Sequence, residues 1–304
     1  MANTGRIVAG AIVPHLPHLV YAESPPQNEP RSEGGWEVLR WGCQRFRKSV
    51  LAKKPDVLLV QSPYWLTHVG HHVLGLSRME GFSVDPFFPH LFRFGYDVTI
   101  DAELSHLIAD EGRKEGLMMK VMKNPDFTLD SASLASAYLV NPAFDIPIVV
   151  LSSNHTCSRL SSQAAQEEMR KLGVATRRAV EISGRRAVLL AGNSLSFRHF
   201  TKEPDIPEDM SQERIFDHNQ YLWDMEVLKM LREGRTRELV DCLPDFLAAA
   251  QARAGAFAWM LSALDFPRYP AEVHAYGSII GTGNAVVEWD HERHSIPLAA
   301  GGGR

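Results

Sequence analysis

The sequence predicts an α/β fold with a mainly parallel central sheet and helices on both faces. Three observations predict it. Short apolar runs rich in β-branched residues, "RIVAGAIV", "DVLLVQS", "DIPIVVLSS" and "RRAVLLAGNS", are continuous rather than alternating, as strands buried on both faces must be. Longer segments of helical period separate them, and the strand, helix, strand order recurs.

Taken in chain order, residues 6–13 form the first strand. Residues 34–54 form a helix, because Trp36, Leu39, Cys43, Phe46 and Val50 recur at three- and four-residue spacing. "DVLLVQS" is the next strand. Residues 75–130, richer in Pro, Phe and Gly ("GFSVDPFFPHLFRFGY"), form an excursion over the end of the sheet. "DIPIVVLSS", the helical "AAQEEMRKLGVATRRAVEISG" and "RRAVLLAGNS" repeat the first unit. Residues 1–295 are read as one domain and residues 296–304, "IPLAAGGGR", as a flexible tail.

Composition narrows the function classes. With 304 residues, 45% of them hydrophobic and 22% charged, the chain can bury a substantial core. A formal charge of -4 supplies no basic field, so nucleic acid is not an expected partner. The opening "MANTGRIVAGAIVPHLPHLV" has an apolar run broken by Pro14 and Pro17, too short to span a bilayer, so no membrane segment is expected and the protein reads as cytoplasmic. Cys43, Cys157 and Cys242 are odd in number and far apart, so three buried thiols are expected rather than a disulfide framework or a zinc cluster.

Ligands of parallel sheets sit beyond the strand C-termini. The loops "VPHLPH", "SPYWLTH", "SNHT" and "NSLSFRHF" all fall there, so four histidine-bearing loops converge on one rim. His15, set between Pro14 and Pro17, is a candidate ligand or acid-base group; His18 is either a binding group or a hydrogen-bonded structural one. "THVGHH" has a spacing that mimics a metal pair on a helix, but Gly70 and the following "VLGL" indicate a turn into a strand, which sends His71 and His72 to opposite faces. His199 follows a buried strand as a candidate acid, base or donor, or simply closes its loop. "GTGNAVVEWD" runs into a strand, which excludes a dinucleotide fingerprint, and no phosphate loop, GxSxG elbow or HExxH helix is present.

"VPHLPHLVYAESPPQNEPRSEGGWEVLRW", "KPDVLLVQSPYW", "IPEDMS", "AGAFAWM" and "YGSIIGTGNAVVEWD" resemble the class III extradiol ring-cleavage dioxygenases, more narrowly the aminophenol-cleaving branch, from about residue 6 to residue 290. The resemblance implies a non-haem Fe(II) held by two histidines and a glutamate, with open positions for a bidentate aromatic and dioxygen. It also implies enzymes built from two homologous subunits, one without the metal site. Carried over residue by residue, the first histidine is His15. The second, in the family's "SPHW", is Tyr64; the glutamate before "GAFxWM" is Gln251; the proton-handling histidine of "SLSHxHF" is Phe197, while His199 keeps the second histidine of that motif; a pocket tyrosine becomes Ser131.

One imidazole, a phenol and a neutral amide are a poor ferrous set. Tyrosine has a pKa of about 10, so its oxygen binds metal only after losing a proton, and phenolate favours the ferric state. No tightly held Fe(II) is therefore expected; Fe(II) is the cofactor only if ring cleavage survives with an atypical site. Two classes stay open. In the first, the chain is an altered enzyme acting on an aminophenol or catechol, with His15, Tyr64 and His199 catalytic and with His18, Trp65, Ser131, Phe197 and Gln251 binding substrate. In the second, it is a non-catalytic subunit packed on an active paralogue. Either way a homodimer or a heteromer with a homologous subunit is expected.

Overall fold

A single eight-stranded sheet runs through the computed structural model, which describes residues 4–23, 36–154, 162–197, 217–250, 255–279 and 281–295. The first half comprises β1 (Arg6–Ile12), α1 (Pro17–Glu23), α2 (Glu37–Ala52), β2 (Val57–Thr67), β3 (His71–Leu74), β4 (Arg78–Val84), β5 (Arg93–Thr99), α3 (Ala102–Lys114), β6 (Met119–Met122) and α4 (Ser131–Val140). The second half comprises β7 (Ile148–Asn154), α5 (Ser162–Ser183), β8 (Arg186–Ala191), α6 (His218–Arg232), α7 (Thr236–Ala250), α8 (Gly255–Ala263), β9 (Glu272–Ile279), β10 (Thr282–Trp289) and α9 (His291–Ser295).

The sheet order is β6-β3-β7-β2-β8-β1-β10-β9. β1 and β2 both pair with β8 in parallel, β2 pairs with β7 in parallel, and β3 with β6; β10 joins β1 antiparallel and β9 closes the hairpin. Period-two side-chain alternation explains why the apolar runs are continuous. On β2, Val57 and Leu59 enter one core with α3, α5 and α8, while Leu58 and Val60 enter the other with α1, α2 and α4. Each such side chain, fully buried, contributes about 1.5–3 kcal/mol. Trp36, Leu39, Cys43, Phe46 and Val50 are all buried, as their spacing requires.

Two expectations change. The excursion is shorter than residues 75–130: β4 and β5 form a separate two-stranded sheet, but the chain then returns as α3 and β6, the latter an edge strand of the main sheet. Asp101 starts α3 by accepting from the Leu104 amide at 3.0 Å, a cap that the Pro- and Phe-rich stretch before it obscures. Of the thiols, Cys43 is buried and pushed up to about 12, chiefly by burial, whereas Cys242 is only half-buried; Cys157 lies outside the described residues, as do residues 296–304. Gly70 takes φ 67° ahead of β3, and His71 is buried while His72 is half-buried, which is the turn into a strand that "THVGHH" indicates. Among the described residues no helix is long and apolar enough to cross a membrane.

A buried ionic network fastens α2 to the terminal hairpin. The Glu288 carboxylate accepts from Ser49 Oγ at 2.7 Å, meets His274 Nε2 at 2.9 Å and pairs with Lys53 Nζ at 3.2 Å; Lys53 also reaches Asp290 at 3.1 Å. Burial alone pushes the Glu288 carboxyl up, but His274, Ser49 and Lys53 together hold it below the ordinary value of 4.5. A depressed carboxyl stabilises the fold above its unfolded pKa and loses that contribution as pH falls below it. Glu288→Ala removes the common partner of Ser49, Lys53 and His274, all partly buried, but leaves Lys53 paired with Asp290, so we expect it to lower the unfolding free energy by roughly 1–3 kcal/mol at pH 7. The deficit should shrink below pH 4.5, the ordinary value for this carboxyl; urea unfolding of both proteins across that range checks this.

Candidate active site

The loops after β1 and β8 and a bulge within β2 meet in one hollow lined by His15, Pro63, Tyr64, Asn193, Ser194, Leu195 and Phe197, while the histidine of the fourth expected loop, "SNHT", lies outside the described residues. A polar clamp shapes two of these segments, the β2 bulge and the loop after β8.

On β2 the pairing with β7 slips between Gln61 and Leu66, so that residues 62–65 bow outwards against Ser152 alone. Pro63 cannot donate to the ladder, which suits a bulge. The Ser62 hydroxyl organises the bulge: it donates to Asp130 Oδ1 at 2.8 Å and accepts from the amides of Tyr64 at 3.1 Å and Trp65 at 3.0 Å. Ser153 Oγ donates to the Ser62 carbonyl at 2.7 Å. Burial holds the Asp130 carboxyl above its usual range, against the bonds from Ser133 and Ser62 that pull it down.

The first loop continues β1, with the Val13 amide bonded to the Ala191 carbonyl at 3.1 Å, and ends where Pro17 opens α1. His15, 3% exposed, sits there with its ring edge-on to Tyr64, centroids 5.2 Å apart at 81°. The third loop leaves β8 and runs along β10: the Leu195 amide donates to the Gly283 carbonyl at 2.8 Å and the Gly283 amide to the Ser196 carbonyl at 2.9 Å. Buried Asp224 accepts from the Ser196 amide at 2.8 Å, from Ser196 Oγ at 2.6 Å and from Tyr276 Oη at 2.7 Å. A Cβ at position 283 would lie 1.8 Å from Asp224 Oδ2, so only glycine permits this approach.

Of the sequence-predicted residues, the structure brings His15, Tyr64 and Phe197 together around the hollow. Phe197 is 38% exposed there. Three others are not among the hollow's lining residues. His18 is buried between Trp36 and Phe88, ring centroids at 5.3 and 4.4 Å. Trp65 packs on Phe127 at 4.8 Å and on His72 at 6.2 Å. Ser131 Oγ donates to buried Asp85 at 2.5 Å. His199 and Gln251 lie outside the described residues. Sequence reasoning missed Asn193 and Ser194, although both lie in a loop it placed on the rim, and it missed the three aspartates. Asp130 had a signal, since an aspartate three residues before a serine at a helix start is a cap; it accepts from Ser133 N at 2.9 Å. Asp224, inside α6, had none.

The polar groups that the described lining offers are the His15 imidazole, the Tyr64 phenol, the Asn193 amide and the Ser194 hydroxyl. Ser194 Oγ donates to Asn284 Oδ1 at 2.9 Å and Asn193 Nδ2 to the Ser194 carbonyl at 2.8 Å, which leaves the buried Asn193 Oδ1 as an acceptor without a partner. That set does not fit Fe(II): it holds one imidazole, no carboxylate, and a phenol that must shed a proton to bind. Among the described residues the grouping with metal-ligand spacing is Glu272, His274 and Glu288, in the network already engaged by Lys53.

Comparison with known proteins agrees with the fold. Residues 9–287 match the family described as the catalytic LigB subunit of aromatic ring-opening dioxygenase. The chain belongs to the LigB family. Within it, the chain is 50% identical over 303 residues to the 2-aminophenol 1,6-dioxygenase beta subunit of a Pseudomonas species, covering 99% of each chain. The alpha subunit from Pseudomonas is 27% identical over 84% of this chain and 91% of its own, and the 3,4-dihydroxyphenylacetate 2,3-dioxygenase of Escherichia coli is 27% identical over 80% and 83%. A crystal structure of an uncharacterized protein from Escherichia coli K12 superposes with a TM-score of 0.57 at 15% identity, over 92% of this chain and 99% of that one. At that identity it shows the fold alone.

Two outcomes follow from this geometry. Ser62→Ala leaves the Tyr64 and Trp65 amides without this acceptor and Asp130 Oδ1 with only the Ser133 amide, so it should lower stability by about 1–3 kcal/mol, readable as a lower urea midpoint. His18 is driven from the ordinary 6.5 to about 3, by burial first and by the nearby His90 second. The unfolded chain therefore takes up a proton below pH 6.5 that the folded chain refuses, and stability falls as pH falls towards 3. By pH 5 the loss should be about 2 kcal/mol relative to neutral pH, and His18→Leu should flatten that part of the curve.

Proposed function

We propose that this LigB-family chain binds a small aromatic of aminophenol or catechol type in the rim hollow and acts on it without a two-histidine, one-carboxylate ferrous centre. The observation that carries the reading is Tyr64 facing His15 across the hollow, where the resemblance expects a second metal-binding imidazole. An imidazole and a phenol in contact form an acid-base pair. In this reading His15 takes the proton from a ring hydroxyl while the Tyr64 phenol donates a hydrogen bond to the oxygen left negative. Phe197 supplies an apolar wall, and His199 and Gln251 complete the set on the sequence argument. His18, Trp65 and Ser131, which the sequence argument makes substrate-binding, are not among the lining residues, so in this reading they bind no substrate directly.

The names of the two Pseudomonas relatives, alpha and beta subunits of one dioxygenase, support assembly of this chain with a homologous subunit. They also support a second reading, in which the chain is the non-catalytic member of such a pair. Phe197, which neither gives nor takes a proton, favours it. Ring cleavage through an atypical metal site is the third.

Calorimetry with 2-aminophenol and a catechol panel separates these readings. The altered enzyme should bind at least one compound in metal-free buffer, and Tyr64→Phe should weaken that binding because it deletes only the hydroxyl. Anaerobic Fe(II) titration is the complement. Tyr64→His with Gln251→Glu rebuilds two imidazoles and a carboxylate, so the double variant should gain Fe(II) affinity by roughly tenfold or more over wild type. Tight iron in the wild type overturns the proposal in favour of ring cleavage; no binding of any compound leaves the subunit reading.

A further inference from the structure

We propose that Phe87 is a specificity-determining residue at this rim, selecting aromatics that carry an apolar ring substituent, and that Asp85 is its positioning residue. The inference rests on the aromatic-binding reading above and adds which aromatics are favoured.

The observations are a run of rings and an anchor. Tyr64 lies between His15, whose centroid is 5.2 Å away, and Phe87, at 5.8 Å and 67°. His15 and Tyr64 line the hollow, and Phe87 extends the same aromatic wall outwards. Phe87 is 68% exposed, the most exposed large apolar side chain among the described residues. Its backbone is nevertheless tightly held. Asp85, fully buried, accepts from the Phe87 amide at 2.9 Å and the Phe88 amide at 2.8 Å through Oδ1, and from Ser131 Oγ at 2.5 Å through Oδ2. Phe88, next in sequence, turns the other way and packs its ring on His18 at 4.4 Å. Adjacent phenylalanines thus divide the work: half-buried Phe88 packs on His18, and Phe87 is held out beside Tyr64.

An exposed phenylalanine on a mobile loop would be an ordinary surface residue. One whose amide is fixed by a buried carboxylate, and whose ring is fixed against a hollow-lining tyrosine, is a preorganised contact surface that loses little freedom when a ligand meets it. A ligand ring held at His15 and Tyr64 has its polar substituents turned inwards, so a group on its far edge emerges towards Phe87. An apolar group there buries surface on both sides, and an aromatic contact of this kind changes affinity by several-fold.

The test is calorimetry of the full-length protein with two probes, catechol and 4-tert-butylcatechol. Phe87→Ala should lose about fivefold in affinity for the substituted ring while changing the parent compound less than twofold, and Phe87→Leu should restore part of the difference. Asp85→Asn, which keeps the shape but weakens the anchor, should move the ratio in the same direction; circular dichroism confirms that each variant is folded. Phe87 is exposed, so its own replacement leaves the core intact. If wild type binds both probes and Phe87→Ala leaves their ratio unchanged, the specificity role is overturned and aromatic binding stands. If wild type binds neither, aromatic binding falls and takes this inference with it. An unchanged ratio together with a change in oligomeric state by light scattering would reassign Phe87 to a subunit interface.

Discussion

The position of Tyr64 depends on a hydroxyl two residues before it. Ser62 Oγ uses its one proton on Asp130 and its lone pairs on the amides of Tyr64 and Trp65, so a single side chain sets the path of four residues that have left the β2 ladder. A bulge of this size frees backbone donors inside a protein, where each one left unmade costs about 1–3 kcal/mol. Ser62 removes that cost, and Asp130 fixes Ser62 while capping α4. The rim therefore inherits its geometry from the start of a helix beneath it.

The other loops follow the same rule with different residues. Asp224 holds the loop after β8 through Ser196, and Asp85 holds the loop between β4 and β5 through two amides and Ser131. Each is a carboxylate buried among donors, an arrangement that fails badly if any partner is removed and so specifies one loop conformation. Gly283 belongs to this scheme, because the carboxylate of Asp224 occupies the space that its side chain would need. These clamps engage Tyr64 through its backbone amide alone, not through its phenol.

What the sequence made legible follows from what periodicity can carry. Continuous apolar runs identify β1, β2, β7 and β8, and the spacing from Trp36 to Val50 identifies α2, because burial on known faces leaves a repeat in the chain. The rim could be placed because loops after parallel strands share one end of the sheet. The return of the chain as α3 and β6 was harder to read, since β6 has only four residues and two of them, Val121 and Met122, are half-buried. The clamps were least legible. They join residues 46 and 68 positions apart, as in Asp85 with Ser131 and Ser62 with Asp130, and no local pattern encodes a pair of that separation.

This division between clamps and donors bears on how the site can change while the fold persists. If an iron ion were the element holding the three loops together, replacing its ligands would release them, and the scaffold would drift with the site. Here two of the three are tied by aspartates, the β2 bulge to α4 through Asp130 and the loop after β8 to α6 through Asp224, so a change of side chain at Tyr64 alters chemistry and leaves the backbone path intact. The cost of such a difference is then confined to the side chain itself, and Tyr64 meets it locally by packing edge-on against both His15 and Phe87. The three aspartate clamps, more than the donor set, are what this chain needs in order to keep a LigB-type rim.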